Sequence, residues 1–112
     1  MNSLRNKVQL IGHVGIQPEM MTLESGKKFV KFTMATNDSF KNSKGEKIEE
    51  TQWHNLVVWN ALSNVVENYV NKGDEIAIEG RLTNRSYQDK EGNKRYISEI
   101  VVNELLLLGN KK

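Results

Sequence analysis

The sequence predicts an all-β fold with one helix: a small five-stranded barrel with the chain order β-β-β-α-β-β. Apolar and polar residues alternate over five segments that are long enough to be strands. Between the third and fourth strands the pattern changes to the spacing of an amphipathic helix. Gly12 and Gly80 stand inside predicted strands, where glycine permits the sharp bends of a small curved barrel.

Three strands are predicted before the helix, and turn residues such as Pro18 and Gly45 separate them. Alternate side chains of a strand point to opposite faces, so we expect the apolar half of each segment to fill the barrel. The strands cover residues 6–14 with Val8, Leu10, Gly12 and Val14 inward, residues 28–37 with Val30, Phe32 and Met34 inward, and residues 50–59 with His54, Leu56 and Val58 inward.

A helix is predicted over residues 61–70, where apolar side chains recur at helical spacing. We expect the side chain of Asn60 to cap its start. Lys72-Gly73 is typical of a helix end, with a cation in the last turn and a glycine just beyond it. The apolar helix positions are Leu62, Val65, Val66, Tyr69 and Val70.

Two strands follow the helix. One begins at Asp74 and passes through Ile78 and Leu82, and the other covers residues 95–107, with a hairpin turn at residues 89–93 between them. A five-stranded barrel with its helix between the third and fourth strands has the oligonucleotide-binding, or OB, topology. The sequence therefore predicts an OB-fold barrel.

The composition is that of one globular domain spanning residues 1–112. Hydrophobic residues make up 38% and charged residues 27%, and no run of about 18 apolar residues is present to span a membrane. Residues 1–5 lack the apolar segment of a secretion signal, so we expect a cytoplasmic protein. The net charge of +2 does not by itself indicate a partner, because the distribution of charge matters more than its sum.

Trp53 and Trp59 are the most informative residues, since six positions separate them and a regular strand places both on one face. Their side chains are then roughly 20 Å apart, at about 3.3 Å per residue. By the same alternation, Arg81, Arg85 and Tyr87 share a face of the fourth strand, and such a face does not suit a core. Trp53 taken alone suits a core position as well as an exposed one.

An aromatic side chain can stack on any nucleobase, and each stacked base contributes about 1–3 kcal/mol. Lysines and arginines on loops and outward strand positions can pair with phosphates, although any one of them suits a solvated surface equally well. The predicted stacking residues are Phe40, Trp53, Trp59 and Tyr87. The predicted phosphate-binding residues are Arg5, Lys7, Lys31, Lys41, Lys72, Arg81 and Arg85, with Lys44, Lys47, Lys90, Lys94 and Arg95 as further candidates.

No residue pattern indicates catalysis or a metal site. His13 and His54 do not have metal-ligand spacing, and the sequence contains no cysteine. Residues 12–15 lack the Lys-Ser/Thr ending of a phosphate loop. Glu49 and Glu50 are adjacent, so they face opposite ways on a strand. We therefore expect a binding protein that is not an enzyme and has no cofactor.

Four segments together resemble the bacterial single-stranded-DNA-binding protein family: residues 6–19, 51–59, 72–74 and 78–82. The resemblance spans about residues 6–103. It implies the OB barrel, a homotetramer around which single-stranded DNA wraps, and stacking at the four aromatic positions given above. It also implies sequence-tolerant binding and protection of single-stranded DNA in replication, recombination and repair, in a cytoplasmic, nucleoid-associated protein.

Two features depart from the family pattern. Many relatives have a basic residue where Asn55 and Ala61 stand. The family's cellular members also continue into a flexible Gly- and Pro-rich tail with an acidic tip that recruits other enzymes, whereas this sequence ends with the basic segment 108–112. Either the tail has been removed or the chain is a tail-less relative from a phage or mobile element, so tail-mediated partners are not expected.

Two other hypotheses stay open on the sequence alone. A primosome-type accessory protein could use the same barrel and act mainly by docking replication proteins. A structural or protein-interaction barrel would have no nucleic-acid role, and its tryptophans would be packing anchors. The resemblance of the segment from Trp53 to Trp59 favours DNA binding over the accessory role.

Overall fold

A computed structural model describes residues 3–109, which form six strands and one α-helix after a short 3-10 helix, Ser3–Asn6. The elements are β1 (Val8–Val14), β2 (Glu19–Thr22), β3 (Lys28–Lys41), β4 (Lys47–Trp59), α1 (Asn60–Tyr69), β5 (Glu75–Gln88) and β6 (Lys94–Gly109).

Five of the strands close into a barrel, as the sequence predicts. Neighbouring strands pair in the order β1-β5-β6-β4-β3, and β1 also pairs with β3, which completes the ring. This closing contact is short, with His13 opposite Ala35 and Val14 opposite Met34. The β4–β6 pair is parallel, and the other pairs are antiparallel. The predicted OB barrel is confirmed.

The short strand β2 is the element that the sequence analysis missed. Its four residues pair with β3 at the edge of the barrel, and Met20 is its one half-buried side chain. A segment this short, with a single inward side chain, shows no alternation that a pattern search could find. The barrel strands keep their predicted order along the chain, and β2 is added between the first two of them.

The inward side chains form one core, as predicted for Val30, Phe32, Met34, Leu56 and Val58, all of which are buried. Burying such a side chain contributes about 1.5–3 kcal/mol. At the rim of this core, the half-buried ring of His54 forms a hydrogen bond of 3.0 Å with the Thr36 hydroxyl. The interior is thus apolar, and its polar member at the rim is paired.

Val57 is buried although its side chain points away from the core. It lies on the outward face with Trp53, yet it is only 4% exposed. Lys31 is its partner on β3, and the Lys31 ammonium reaches Glu99 on β6, 3.8 Å away. The methylene stem of Lys31 must therefore cross β4 at Val57 and cover it, as long cationic side chains often do.

The helix α1 is confirmed, but its start and its apolar face differ from the prediction. No side-chain cap bond forms: Trp59 occupies the cap position, and Asn60 has a φ of 58° inside the first turn. Asparagine adopts this left-handed conformation more readily than most residues, which permits the abrupt change from β4 into α1. Val65 and Tyr69 are exposed, so the helix meets the core through Leu62 and Val66, and the buried Val70 follows directly after it.

The end of α1 differs from the prediction, because the helix ends at Tyr69 with no basic residue in its last turn and Lys72-Gly73 forms a separate turn after it. Gly73 has a φ of 92°, in the region that favours glycine, and its N–H donates to the Val14 carbonyl at 2.8 Å. This bond ties the segment after the helix to β1. The helix has 10 residues, and no helix within residues 3–109 has the length and apolar character needed to cross a membrane.

Gly12 and Gly80 allow strands to approach each other closely. A Cβ atom on Gly12 would overlap the carbonyl oxygen of Ala35, and one on Gly80 would overlap that of Val101. These are backbone atoms, which cannot rotate away. The β5–β6 register also shifts between Glu79 and Gly80, consistent with the bend predicted there.

We expect Gly80→Ala to lower the free energy of unfolding by about 1–3 kcal/mol, because the β6 backbone must move to accept the methyl group. Urea denaturation followed by circular dichroism measures this change. Ser39→Ala, at an exposed position of β3, is the control and should change stability by less than about 0.5 kcal/mol. Equal stability of the two variants would contradict the close approach at Gly80.

Candidate nucleic-acid interface

The outer sheet face is the side of β3, β4, β6 and β5 that points away from the core. Trp53 lies on this face and is 61% exposed, whereas Leu56 and Val58 on the same strand point inward and are buried. Asn55, two residues after Trp53, is also exposed. The alternation of β4 thus places the Trp53 indole outside the barrel, which decides between the two readings that its sequence allows.

Gly15 makes room for the Trp53 ring. A Cβ atom on Gly15 would overlap Cζ3 of that indole and would lie 2.7 Å from the Thr33 hydroxyl oxygen. The Gly15 N–H donates to the Thr33 carbonyl at 2.9 Å, which holds the glycine backbone in place. One edge of the indole therefore lies against backbone, and the rest of the ring remains open to solvent.

Trp59 is the last residue of β4 and is only partly exposed. Phe29 is its partner on β3, and the two ring centroids are 4.8 Å apart with a tilt of 33°. Phe29 was not among the predicted site residues. An alignment of the two strands as a hairpin would have placed the rings opposite each other, but the sequence alone does not supply that register.

Two hairpin arms extend beyond the barrel. Residues 36–52 of β3 and β4 pair only with each other, and so do residues 83–99 of β5 and β6. Phe40 and Tyr87 lie near the ends of these arms, and each is about half exposed. Phe40 is five residues from Ala35, the partner of Trp53, so a regular strand directs it to the opposite side of its arm.

Side chains at the arm tips hold the turns. The Asn42 side-chain oxygen accepts the backbone N–H groups of Lys44 and Glu46 at 2.9 and 3.0 Å. In the second arm, Asp89 is paired with the Arg95 guanidinium at 2.9 Å. Arg95 and the neighbouring backbone N–H groups lower the pKa of Asp89 below its ordinary value. Both tips are thus organised by one short polar side chain each.

Tyr96 is an exposed aromatic residue that the sequence analysis missed. The Lys94 ammonium lies 5.6 Å from its ring centroid. Tyr96 and Trp53 line a cleft of about 330 Å³ where β4 and β6 diverge. Across this cleft the Asn55 amide donates to the Ser98 carbonyl at 3.4 Å. The sequence feature that could have identified Tyr96 is its position beside the predicted hairpin turn, where both faces of a strand are exposed.

Lys31 and Arg85 both meet the carboxylate of Glu99. The Arg85 Nε donates to Glu99 Oε1 at 3.0 Å, and its Nη2 donates to Oε2 at 3.3 Å. Glu99 is 7% exposed, whereas the two cationic side chains are more than 40% exposed. The carboxylate raises the pKa of Arg85 above its ordinary value. The sequence analysis predicts Lys31 and Arg85 as phosphate partners but does not identify Glu99, which lies between them.

Lys7 is placed away from the tryptophans. Its ammonium lies 3.4 Å from Glu79 Oε1. The Gln9 side-chain amide donates a hydrogen bond of 3.0 Å to the same oxygen. The Gln9 hydrogen bond, with Lys7 beside it, lowers the pKa of Glu79. The pair lies between β1 and β5, neither of which borders β4.

The remaining predicted cations are exposed. No ion pair joins them to any residue within 3–109, and they lie in the 3-10 helix (Arg5), at the end of β3 (Lys41), after α1 (Lys72) and on β5 (Arg81). Over the same part of the chain, no cluster of three His, Asp or Glu side chains could hold a metal ion.

A closed OB barrel with exposed aromatic and cationic side chains on one sheet face defines the oligonucleotide-binding class of small β-barrel. The comparison with protein families then narrows this class. The chain belongs to the single-strand binding protein family, whose family model matches residues 5–108.

Individual relatives agree with the family. The chain is 46% identical to single-stranded DNA-binding protein 1 of Chlorobaculum tepidum over 95% of its own length and 66% of that protein. It is 41% identical to single-stranded DNA-binding protein 1 of Xylella fastidiosa, covering 96% of this chain and 79% of the relative. For the Chlorobaculum protein the chain thus spans slightly less than two thirds of the relative's length.

A solved structure has the same fold. It is described as Plasmodium falciparum SSB in complex with ssDNA, and it superposes with a TM-score of 0.85 at 30% sequence identity. The match covers 92% of this chain and 94% of the other.

We expect Gly15→Ala to displace the Trp53 ring, because the new methyl group would occupy the space of Cζ3. In a Trp59→Phe background, where Trp53 is the one tryptophan, fluorescence emission should shift to longer wavelength and acrylamide quenching should increase. Ser43→Ala in the exposed turn of the first arm is the control and should leave both unchanged. An unaltered spectrum for Gly15→Ala would show that the indole does not lie against Gly15.

Proposed function

We propose that this protein binds and protects single-stranded DNA without sequence preference. The single observation that carries the proposal is the open Trp53 indole on the outer sheet face, 61% exposed and seated against the Gly15 backbone. An exposed indole held in place by backbone offers a flat surface on which a nucleobase can stack. The family of the chain and the names of its relatives support the same ligand.

The proposed contacts are of two kinds. Bases stack on aromatic rings, which tolerates any sequence because every base has a flat face. Phosphates pair with exposed cations, which makes the affinity depend on salt. The proposed stacking residues are Phe40, Trp53, Trp59 and Tyr87, and the structure adds Tyr96 as a fifth candidate. The proposed phosphate partners are Arg5, Lys7, Lys31, Lys41, Lys72, Arg81 and Arg85.

The proposed assembly is a homotetramer. A groove of about 790 Å³ lies between β1, β5 and β6, and two of its lining residues, Ile11 and Leu106, are 61% and 63% exposed. An apolar surface of this kind is typical of a contact between proteins. Subunits that share one DNA strand would bind it more tightly than one subunit can, because later contacts become intramolecular.

Replication, recombination and repair all expose single-stranded DNA, and we propose that residues 1–112 act there as a single OB domain, in the cytoplasm at the nucleoid. The proposed role is binding without catalysis. The accessory-protein hypothesis has no support from the comparisons, since the relatives reported above are named for binding single-stranded DNA.

We expect addition of an oligo-dT strand to quench tryptophan fluorescence, while a duplex of equal length has little effect. Trp53→Ala should weaken binding roughly 5- to 150-fold, the equivalent of about 1–3 kcal/mol for one stacked base. Trp53→Phe should retain most of the affinity, because a flat ring remains. Fluorescence anisotropy of a labelled strand measures both variants.

Tyr69→Ala is the matched control for this experiment, because Tyr69 is equally exposed but lies on α1, away from the outer sheet face. Its affinity should stay within about twofold of the unaltered protein. Equal affinities for Trp53→Ala and Tyr69→Ala, or equal affinity of the unaltered protein for duplex and single strand, would overturn the proposed function.

For the assembly, light scattering at micromolar concentration should report a tetramer. Ile11→Lys should shift the protein toward smaller species, because a charge would enter an apolar contact. A monomer in both samples would contradict the proposed homotetramer without affecting the proposed DNA contacts of a single subunit.

A further inference from the structure

Among residues 3–109, Glu99 is the one buried acid on the outer sheet face, and stacking or phosphate pairing gives it no role. It is 7% exposed on β6 and lies between a cation of β3 and a cation of β5. The Lys31–Glu99–Arg85 triad thus spans all four strands of that face. A carboxylate at the centre of a surface that should attract phosphates requires an explanation.

Glu99 contacts both cations of the triad closely. Arg85 gives Glu99 two of its nitrogens, Nε and Nη2, in a bidentate pair. The Lys31 ammonium lies 3.8 Å from Glu99 Oε2. Two positive charges therefore share one negative charge, and their side chains remain 48% and 42% exposed, so a phosphate can still reach them.

We propose that Glu99 acts as a built-in competitor of phosphate, which limits how tightly and how salt-dependently the outer sheet face holds single-stranded DNA. This inference rests on the proposed function and adds to it a residue that sets the strength of binding. A phosphate that approaches Lys31 or Arg85 must share or replace the Glu99 carboxylate. The triad therefore contributes one net charge where two separate cations would contribute two.

Glu99→Gln tests the proposal, because the amide keeps the size of the side chain and removes its charge. We expect the affinity for oligo-dT at about 0.1 M salt to rise roughly three- to tenfold. The slope of log affinity against log salt should become steeper by about 0.7, because the triad then contributes two charges instead of one. Anisotropy titrations over a range of salt concentrations measure both quantities.

Glu67→Gln is the matched control. It makes the same change in net charge on the exposed side of α1, away from the triad, and should leave affinity and slope unchanged. If Glu99→Gln behaves like Glu67→Gln, or binds more weakly with an unchanged slope, Glu99 is a structural residue and the proposal is overturned.

A second pair of variants decides the question if Glu99→Gln does not fold, which thermal denaturation would reveal. Arg81 lies exposed on the same face and has no ion pair with any residue from 3 to 109, so Arg81→Gln should flatten the salt slope by about 0.7. The double substitution Lys31→Gln and Arg85→Gln should flatten it by about the same amount, because the triad contributes one net charge. A flattening of about 1.4, the value for two independent cations, would overturn the proposal.

Failure of this inference and failure of the proposed function are distinguishable. If the unaltered protein does not bind oligo-dT, the proposed function is wrong and Glu99 has nothing to compete with. If the unaltered protein binds and only the responses of the Glu99 and Lys31 variants differ from expectation, the DNA-binding role stands and the competitor role is wrong.

Discussion

The close approach of strand backbones at Gly12 and Gly80 is the constraint on which the rest of the structure depends. A side chain at either position would meet the carbonyl oxygen of Ala35 or Val101. With those contacts made, β1 can pair with both β3 and β5, and the sheet closes. Closure gives every strand an inside and an outside, so the alternation of each sequence segment becomes a division between core and surface. The exposed position of Trp53 follows from that division.

The barrel and its arms hold the aromatic residues in different ways. Trp53 and Trp59 lie on a strand that is paired within the closed sheet and have close neighbours in Gly15 and Phe29. Phe40 and Tyr87 lie on arms that pair only internally, and the arm tips depend on single polar side chains. The barrel thus offers preorganised rings, and the arms offer rings whose positions depend on the bending of a two-stranded ribbon.

Some of the cations are paired with acidic side chains and others are not. Glu79, Asp89 and Glu99 each hold a cation that the sequence alone would leave unpaired, while Arg81 and Lys41 have no acid beside them within the described chain. In the proposed binding mode, stacking on exposed rings tolerates any base sequence, and a small number of unpaired cations within the described chain is enough to contact phosphates at a net charge of +2. A fully basic face would hold a strand more tightly, but it would also release it more slowly.

The sequence by itself determined the barrel, its strand order and most of its inward residues, because these follow from periodicity along one segment. Tertiary structure alone decided which residues meet across strands, since a sequence shows the face a side chain takes but not the strand that lies beside it. Pairing distant segments also requires closure of the sheet, which no local pattern encodes. The tertiary structure decided the strand β2, the conformation of Asn60, the burial of Val57, the contact between Phe29 and Trp59, the cleft beside Tyr96 and the triad of Lys31, Glu99 and Arg85.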